Sequence, residues 1–267
     1  ILTLFIYLPG IIKEKFFEKR MLFLKIQKNG SHMSNSKKKI VFTGGNGRFG
    51  RILQRYNFKY NVFFPSKTEF NIENKKSINK YLDKIKPNIL VHMAALSRPM
   101  ALHDTNIIKS INLNIIATAQ LVCACAERKI KIVYFSTQYV YPGRVGKYKE
   151  TDSLLPINNY GWSKLGGESS VHLYKNSLIL RISMTERPFI HKEAFSDVKT
   201  NFIFHDELVP ILKKVLNKKG ILNLGGPIQS VYNFAIKNHY NVKKISAKKI
   251  FGKKFPLNPI YVYLEIK

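Results

Sequence analysis

Cysteine is nearly absent: Cys123 and Cys125 are the only two in 267 residues. That count excludes a disulfide-built fold. Two cysteines two positions apart diverge on a helix and lack the spacing of a metal motif. They read as small core residues in a reducing, cytoplasmic compartment, and no metal site is expected. Acidic residues are also scarce, with 16 Asp plus Glu against 45 Lys plus Arg and a formal net charge of +29. An excess of that size raises nucleic acid or an anionic membrane as partners. Here it is mostly lysine and comes with abundant Ile, Asn, Phe and Tyr and little Ala, the bias of an AT-rich genome. It is therefore read as neither, and its expected effect is to draw in anionic ligands such as nucleotides. A spanning segment is missing from the apolar start: Ile1 to Ile12 is shorter than the ~20 residues that cross a bilayer. It is broken by Pro9 and Gly10 and followed by charges from Lys13 to Arg20. What is present is 45% hydrophobic and 12% aromatic residues, enough for a true core and too much for a disordered or collagen-like chain.

The first residue is Ile, and the chain reaches Met33-Ser-Asn-Ser-Lys-Lys-Lys just before its first strong strand signal. Met33, or else Met21, is the expected start, and Gly30-Ser31-His32-Met33 also matches a common vector-derived junction. Residues 1–32 are set aside as an upstream extension.

The run from Lys38 to Thr43 reads as a buried strand. Gly44-Gly-Asn-Gly47-Arg48-Phe49-Gly50 follows at once, and then a stretch with helical spacing. In a strand, glycine loop and helix of this kind, Gly44 permits the tight turn, Gly47 lets backbone approach a pyrophosphate, and Gly50 lets the helix pack on the strand. Tyr60 to Pro65 reads as the second strand. Ser66-Lys67 follows it where a NAD-selective protein places a carboxylate for the ribose 2′-hydroxyl. With no acid there, Lys67 and Arg48 are expected to take a 2′-phosphate, so NADPH is expected over NADH. Pro87 to Met93 reads as another strand, with Ala94 and Ala95 as a small-residue edge that admits a cofactor. His92, lying before the strand end, reads as a packed residue, and His103 has no evident partner.

Lys131 to Thr137 is a strand ending in two hydroxyls, and Tyr160-Gly-Trp-Ser-Lys164 lies beyond a loop containing Pro and Gly. On a helix, Tyr160 and Lys164 share one face. A tyrosine there can exchange a proton with a carbonyl oxygen while hydride moves at its carbon. A neighbouring ammonium is expected to lower the phenol pKa, and the Thr137 hydroxyl to hold the same oxygen. Either motif alone is weak; their order along the chain is the stronger signal.

The G-x-x-G-x-x-G spacing resembles the extended branch of the short-chain dehydrogenase/reductase superfamily. His92 to Pro99 resembles that family's fourth-strand motif, and Asn112 matches an asparagine the family uses near its active site. Phe135 to Gly143, Tyr148 to Asp152 and Pro156 to Glu168 resemble the dTDP-4-dehydrorhamnose reductases and their sugar-nucleotide-binding relatives. Leu178 to Ser183, Asp206, Gly220 to Gly226 and Ser230 to Ala235 continue that likeness, which covers about residues 37–250.

The resemblance implies an α/β fold, a Rossmann-type doubly wound parallel sheet with a smaller, interleaved C-terminal substrate-binding region. The implied division is 33–183 for the NAD(P)-binding domain and 184–267 for the substrate region. It implies reduction of a 4-keto group on a nucleotide-activated deoxysugar, with Tyr160 as proton donor, Lys164 as its partner and ribose ligand, and Thr137 orienting the carbonyl. The implied cofactor residues are Gly44, Gly47, Arg48, Phe49, Gly50, Ser66, Lys67, Ala94, Ala95 and Asn112, together with Tyr160 and Lys164. Arg98, Thr185 and Arg187 are candidates for the substrate side, and relatives form homodimers.

Three departures stand out. Gln138 replaces an aspartate, the segment after Arg181 lacks the family's aromatic residues, and the tail from Phe255 to Lys267 matches nothing identifiable. The alternatives are a NAD-dependent nucleotide-sugar epimerase or dehydratase and a non-catalytic cofactor-binding regulatory subunit of the kind found with methionine adenosyltransferase. Gln138 argues against a dehydratase, because an amide cannot shuttle a proton.

Overall fold

The computed structural model describes residues 37–143 and 146–251. The upstream extension 1–32 and the tail from Phe255 onward lie outside the described residues. The central elements are β1 (Lys39–Thr43), α1 (Arg48–Leu53), β2 (Asn61–Phe63), α2 (Lys75–Ile85) and β3 (Ile89–His92). After a short α3 (Leu102–Thr105) come α4 (Ile107–Glu127), β4 (Lys131–Thr137), α5 (Asn159–His172) and β5 (Ser177–Ile182). Then follow α6 (His205–Val215), β6 (Gly220–Leu224) and α7 (Val231–Lys237).

The six strands form one sheet in the order β6-β5-β4-β3-β1-β2, and every neighbouring pair is parallel. The chain steps outward from β1 to β2 and then returns to the other side of β1 with β3. The winding therefore reverses between β1 and β3, which opens a crevice at their carboxyl ends. Strands β3, β4 and β5 are buried along their whole length, as inner strands of a parallel sheet covered on both faces should be.

Alternation along β1 shows the two faces. Ile40 and Phe42 join a core with Phe49 and Leu53 of α1 and Leu208 and Leu212 of α6. Val41 joins the opposite core with Ile78 and Leu82 of α2 and Leu121 and Cys125 of α4. Each fully buried leucine or isoleucine here contributes about 1.5–3 kcal/mol of transfer free energy. Helix α2 starts at Asn74, whose Oδ1 accepts from Ser77 N at 3.0 Å. It stops at Lys86 in a left-handed conformation, φ 51°.

By length and composition α4 is apolar enough to cross a membrane, with mean hydropathy 1.5. It lies instead against the sheet and α5, burying Ala117, Leu121, Ala124 and Cys125. Its first half contains a π turn at Asn112–Ile116, an extra residue that rotates the helix surface.

Residues beyond 184 serve two ends. Helix α6 and strand β6 return to the main sheet, while 184–204 and 225–251 form a small layer with its own cluster of Phe189, Phe204, Phe234 and Val242. That layer is tied together by short strand pairs, Met184–Thr185 with Ile203–Phe204, Lys199–Thr200 with Gln229–Ser230, and Glu193–Phe195 with Lys243–Ile245.

Candidate functional site

A cavity of about 880 Å³ opens at the carboxyl ends of β1, β3, β4 and β5. The loop between β1 and α1 forms one wall, with Gly44, Gly47, Arg48, Phe49 and Gly50 all lining it. Gly44 sits at φ +76°, and a Cβ there would lie 2.9 Å from the Ala94 nitrogen, so the loop lies directly on the edge of β3. A Cβ on Gly50 would run into the carbonyl oxygens of Gly44 and Gly45. The turn is closed by Gly47 N donating to Gly44 O at 2.9 Å and pinned by Gln54 Nε2 donating to Gly45 O at 2.9 Å. This narrow backbone cradle suits the pyrophosphate of a dinucleotide, because a side chain at either glycine would collide with backbone.

Ser66 and Lys67 line the same cavity beyond β2, and Ala94 and Ala95 beyond β3. The Lys67 ammonium is paired with Glu73 at 2.9 Å, and Ser66 donates from both N and Oγ to Glu69 Oε2 at 2.8 Å. Those Ser66 hydrogen bonds hold the Glu69 carboxyl below its ordinary range. Two carboxylates therefore stand just after the position where the sequence shows none.

The opposite wall carries the hydroxyl strand end and α5. Helix α5 begins at Asn158, whose Oδ1 accepts from Gly161 N at 2.8 Å, and this sets Tyr160 and Lys164 on the face toward β4. Thr137, Tyr160 and Lys164 all line the cavity. Burial pushes the Tyr160 phenol up to about 12, against a hydrogen bond with Thr137 that pulls it down. Burial pushes Lys164 down to about 7, and Glu168 one turn further along opposes that shift. The Lys164 ammonium lies 4.2 Å from the centre of the Tyr134 ring. The expected acidification of Tyr160 by Lys164 is not seen: burial dominates, and the cation that pulls the phenol down is Arg98. A neutral phenol is the form that donates a proton.

Beneath these residues lies a buried polar network that sequence reading missed. Glu168 accepts from Ser136 Oγ at 2.6 Å and from Arg181 Nε and Nη2 at 3.0 and 2.6 Å. Arg181 also donates to Tyr141 Oη at 2.7 Å and to Glu150 O at 3.0 Å. One charge pair thus ties α5 to β4 and β5 directly below the site.

Two site assignments are corrected. Asn112 is exposed and outside the cavity. The inward asparagine is Asn114, whose Oδ1 accepts from Leu96 N at 2.8 Å and whose Nδ2 donates to Leu96 O and Ser163 Oγ, both at 2.9 Å. Asn114 lies inside the π turn Asn112–Ile116, where it is the buried residue. Arg187 also lies outside the cavity. Its guanidinium stacks 3.7 Å from the Phe204 ring centre and pairs with Asp206 and Glu207 at 3.5 and 3.3 Å.

Thr185 and Arg98 do line the cavity, the latter held by Glu186 at 2.6 Å. His92 is a packed residue, its ring nitrogens on Thr43 Oγ1 and Thr118 Oγ1 at 2.9 and 3.0 Å, and burial pushes it down to about 3. His103 does have a partner, Ser110 Oγ at 2.7 Å from Nδ1, and its ring lies 5.2 Å from that of Tyr160. Gln138, Tyr139, His191 and Phe202 are shared with a second, more apolar cavity of about 280 Å³. Gln138 is buried, and its Oε1 has no hydrogen-bond partner among the described residues.

With this geometry in place, comparison with known proteins is decisive for family. The family model described as "RmlD substrate binding domain" matches residues 38–187. The chain belongs to this family. Among curated relatives, a dTDP-4-dehydrorhamnose reductase of Aggregatibacter actinomycetemcomitans is 32% identical over 152 residues, 55% of this chain and 51% of that protein. The methionine adenosyltransferase 2 subunit beta of Danio rerio is 31% identical over 144 residues, 50% of this chain and 43% of that protein. The matched part thus spans about half the length of these curated relatives. In fold, the RmlD-type chain is similar to the dTDP-4-dehydrorhamnose reductase of Bacillus anthracis crystallised with NADP. The TM-score is 0.75 at 23% identity, covering 84% of this chain and 90% of that one. The Rossmann-type reading and the resemblance drawn from the glycine loop and the Tyr160 region both hold.

Proposed function

We propose that this protein is a reductase that takes NADPH, and NADH less well, and reduces a keto group on a nucleotide-activated deoxysugar. The observation that carries the reading is the convergence of Thr137, Tyr160 and Lys164 on a cavity whose other wall is the Gly44–Gly50 cradle. The dinucleotide, when bound, supplies hydride. The chain's own groups do the rest. Thr137 holds the substrate oxygen, and Tyr160, neutral because it is buried, donates the proton to it. Lys164 is poised near neutrality, so it is charged or uncharged according to what shares its pocket, and a ribose hydroxyl or a developing phenolate favours the ammonium. Arg48 and Lys67 supply the cations for a 2′-phosphate.

The small layer built from 184–204 and 225–251 supplies the substrate side through Thr185, and Arg98 from the loop after β3 faces the same cavity. The second cavity extends it through Gln138, whose unsatisfied carbonyl oxygen suits a sugar hydroxyl. An amide at 138 leaves no acid there, which disfavours dehydration. We assign the protein to the cytoplasm, and the exposed Ile107, Ile108 and Ile111 of α4 are the surface a homodimer would bury.

The test is turnover of NADPH and of NADH with a dTDP-4-keto-6-deoxyhexose. Wild-type protein oxidises NADPH on addition of the sugar, and Tyr160→Phe loses at least about a hundredfold in kcat, the usual contribution of a general acid. Undiminished turnover in that variant removes Tyr160 from the mechanism. Cofactor binding with no turnover in the wild type points instead to a regulatory role.

A further inference from the structure

Glu186 lies just past the short strand Met184–Thr185, lines the main cavity, and has a side chain 18% exposed. A single oxygen, Oε1, accepts from Arg48 Nη1 at 3.3 Å and from Arg98 Nη1 at 2.6 Å. The two arginines come from the glycine loop and from the loop after β3, on either side of the point where the sheet reverses its winding. The carboxylate is thus held by cations from the cofactor wall and from the substrate wall at once.

We propose that Glu186 is an internal counter-anion, whose carboxylate holds the Arg48 and Arg98 guanidiniums in place of a ligand phosphate and so sets how tightly the cavity takes phosphorylated ligands. This rests on the reading of the cavity as a dinucleotide and sugar-nucleotide site. Three observations support it. A guanidinium fork binds carboxylate and phosphate oxygens with the same geometry, so one replaces the other without rebuilding the arginines. Both arginine side chains are partly open to solvent, 47% and 40% exposed, so each ion pair is weak and readily exchanged. Among the described residues two acids line the cavity, and the other, Glu73, is already paired with Lys67. The nearby histidines do not cancel the carboxylate, since burial pushes His205 down to about 4 and also lowers His191. A diphosphate entering the cavity therefore meets a carboxylate that competes for its cations and repels its charge.

The experiment compares wild type with Glu186→Gln, which keeps the volume and one acceptor oxygen and removes the charge. Binding of NADPH, NADH and inorganic pyrophosphate is measured by calorimetry at low and high salt. The expected result is that E186Q binds NADPH and pyrophosphate about fivefold tighter at low salt, with the gain shrinking at high salt and lost in the E186Q/R98M double variant. Pyrophosphate binding to E186Q that is equal, weaker or undetectable overturns the proposal. Failure of the cofactor reading looks different: neither dinucleotide binds wild type or E186Q, and the pyrophosphate comparison still decides what Glu186 does.

Discussion

Replacing Lys164 with methionine should stabilise the ligand-free protein and, at the same time, abolish its chemistry. Methionine fills the volume of the lysine stem and carries no charge. Glu168 keeps Ser136 and Arg181 in the variant, so no carboxylate is left unpaired. The lysine ammonium falls from 10.5 in its ordinary state to about 7 in the fold because burial desolvates it. A basic group whose pKa is depressed on folding costs stability, and the cost is complete below the folded value, where both states are protonated. As pH rises from about 7 toward 10.5 the native state has released its proton while the unfolded chain still holds one, so the cost fades. At about 1.36 kcal/mol per pH unit, the full penalty is on the order of 5 kcal/mol. Between pH 7 and pH 9 the wild type should gain about 2 kcal/mol on the variant. Urea denaturation of both proteins across that range measures the difference, and surface lysines common to both cancel. A wild-type-minus-variant difference that stays constant from pH 7 to pH 9 refutes the reasoning, because it means that Lys164 titrates in the fold as it does in water. NADPH-dependent turnover should fall in the variant even as stability rises, the signature of a group kept for function at a cost to the fold.

Two further predictions concern the scaffold under the site. Asn114→Ala removes the side chain that pairs with the Leu96 N–H and C=O and should cost about 1–3 kcal/mol in chemical denaturation, whereas Asn112→Ala should stay within about 0.5 kcal/mol. Arg181→Met strips Glu168 of its guanidinium in a site where both side chains are 3–4% exposed, and should cost about 3–5 kcal/mol, read as a lowered urea midpoint.

The parts of the site that were legible in the sequence are those written within one local unit. The Gly44–Gly50 turn is bounded by its own strand and helix, and Tyr160 and Lys164 are separated by one helical turn, so spacing alone brings each set together. Thr137 could be placed because a strand that runs apolar from Ile132 to Phe135 and then turns to hydroxyls announces its carboxyl end. Asn112 and Asn114 show where this stops, since the two lie on different sides of the helix within a π turn, which an ideal period of 3.6 does not reveal. Electrostatics failed for a related reason: the Tyr160–Lys164 spacing names the neighbour but not the depth of burial, and burial sets both pKa values. Arg98 and Arg187 look alike in sequence, yet one faces the cavity and the other stacks on Phe204. Glu186 is the extreme case, because its partners lie 88 and 138 residues away and meet only where the winding reverses between β1 and β3. Gln138 and Glu186 both sit where distant segments converge. The proposed substrate side of this chain therefore rests on contacts no local pattern encodes, while the proposed proton-transfer groups rest on ones that do.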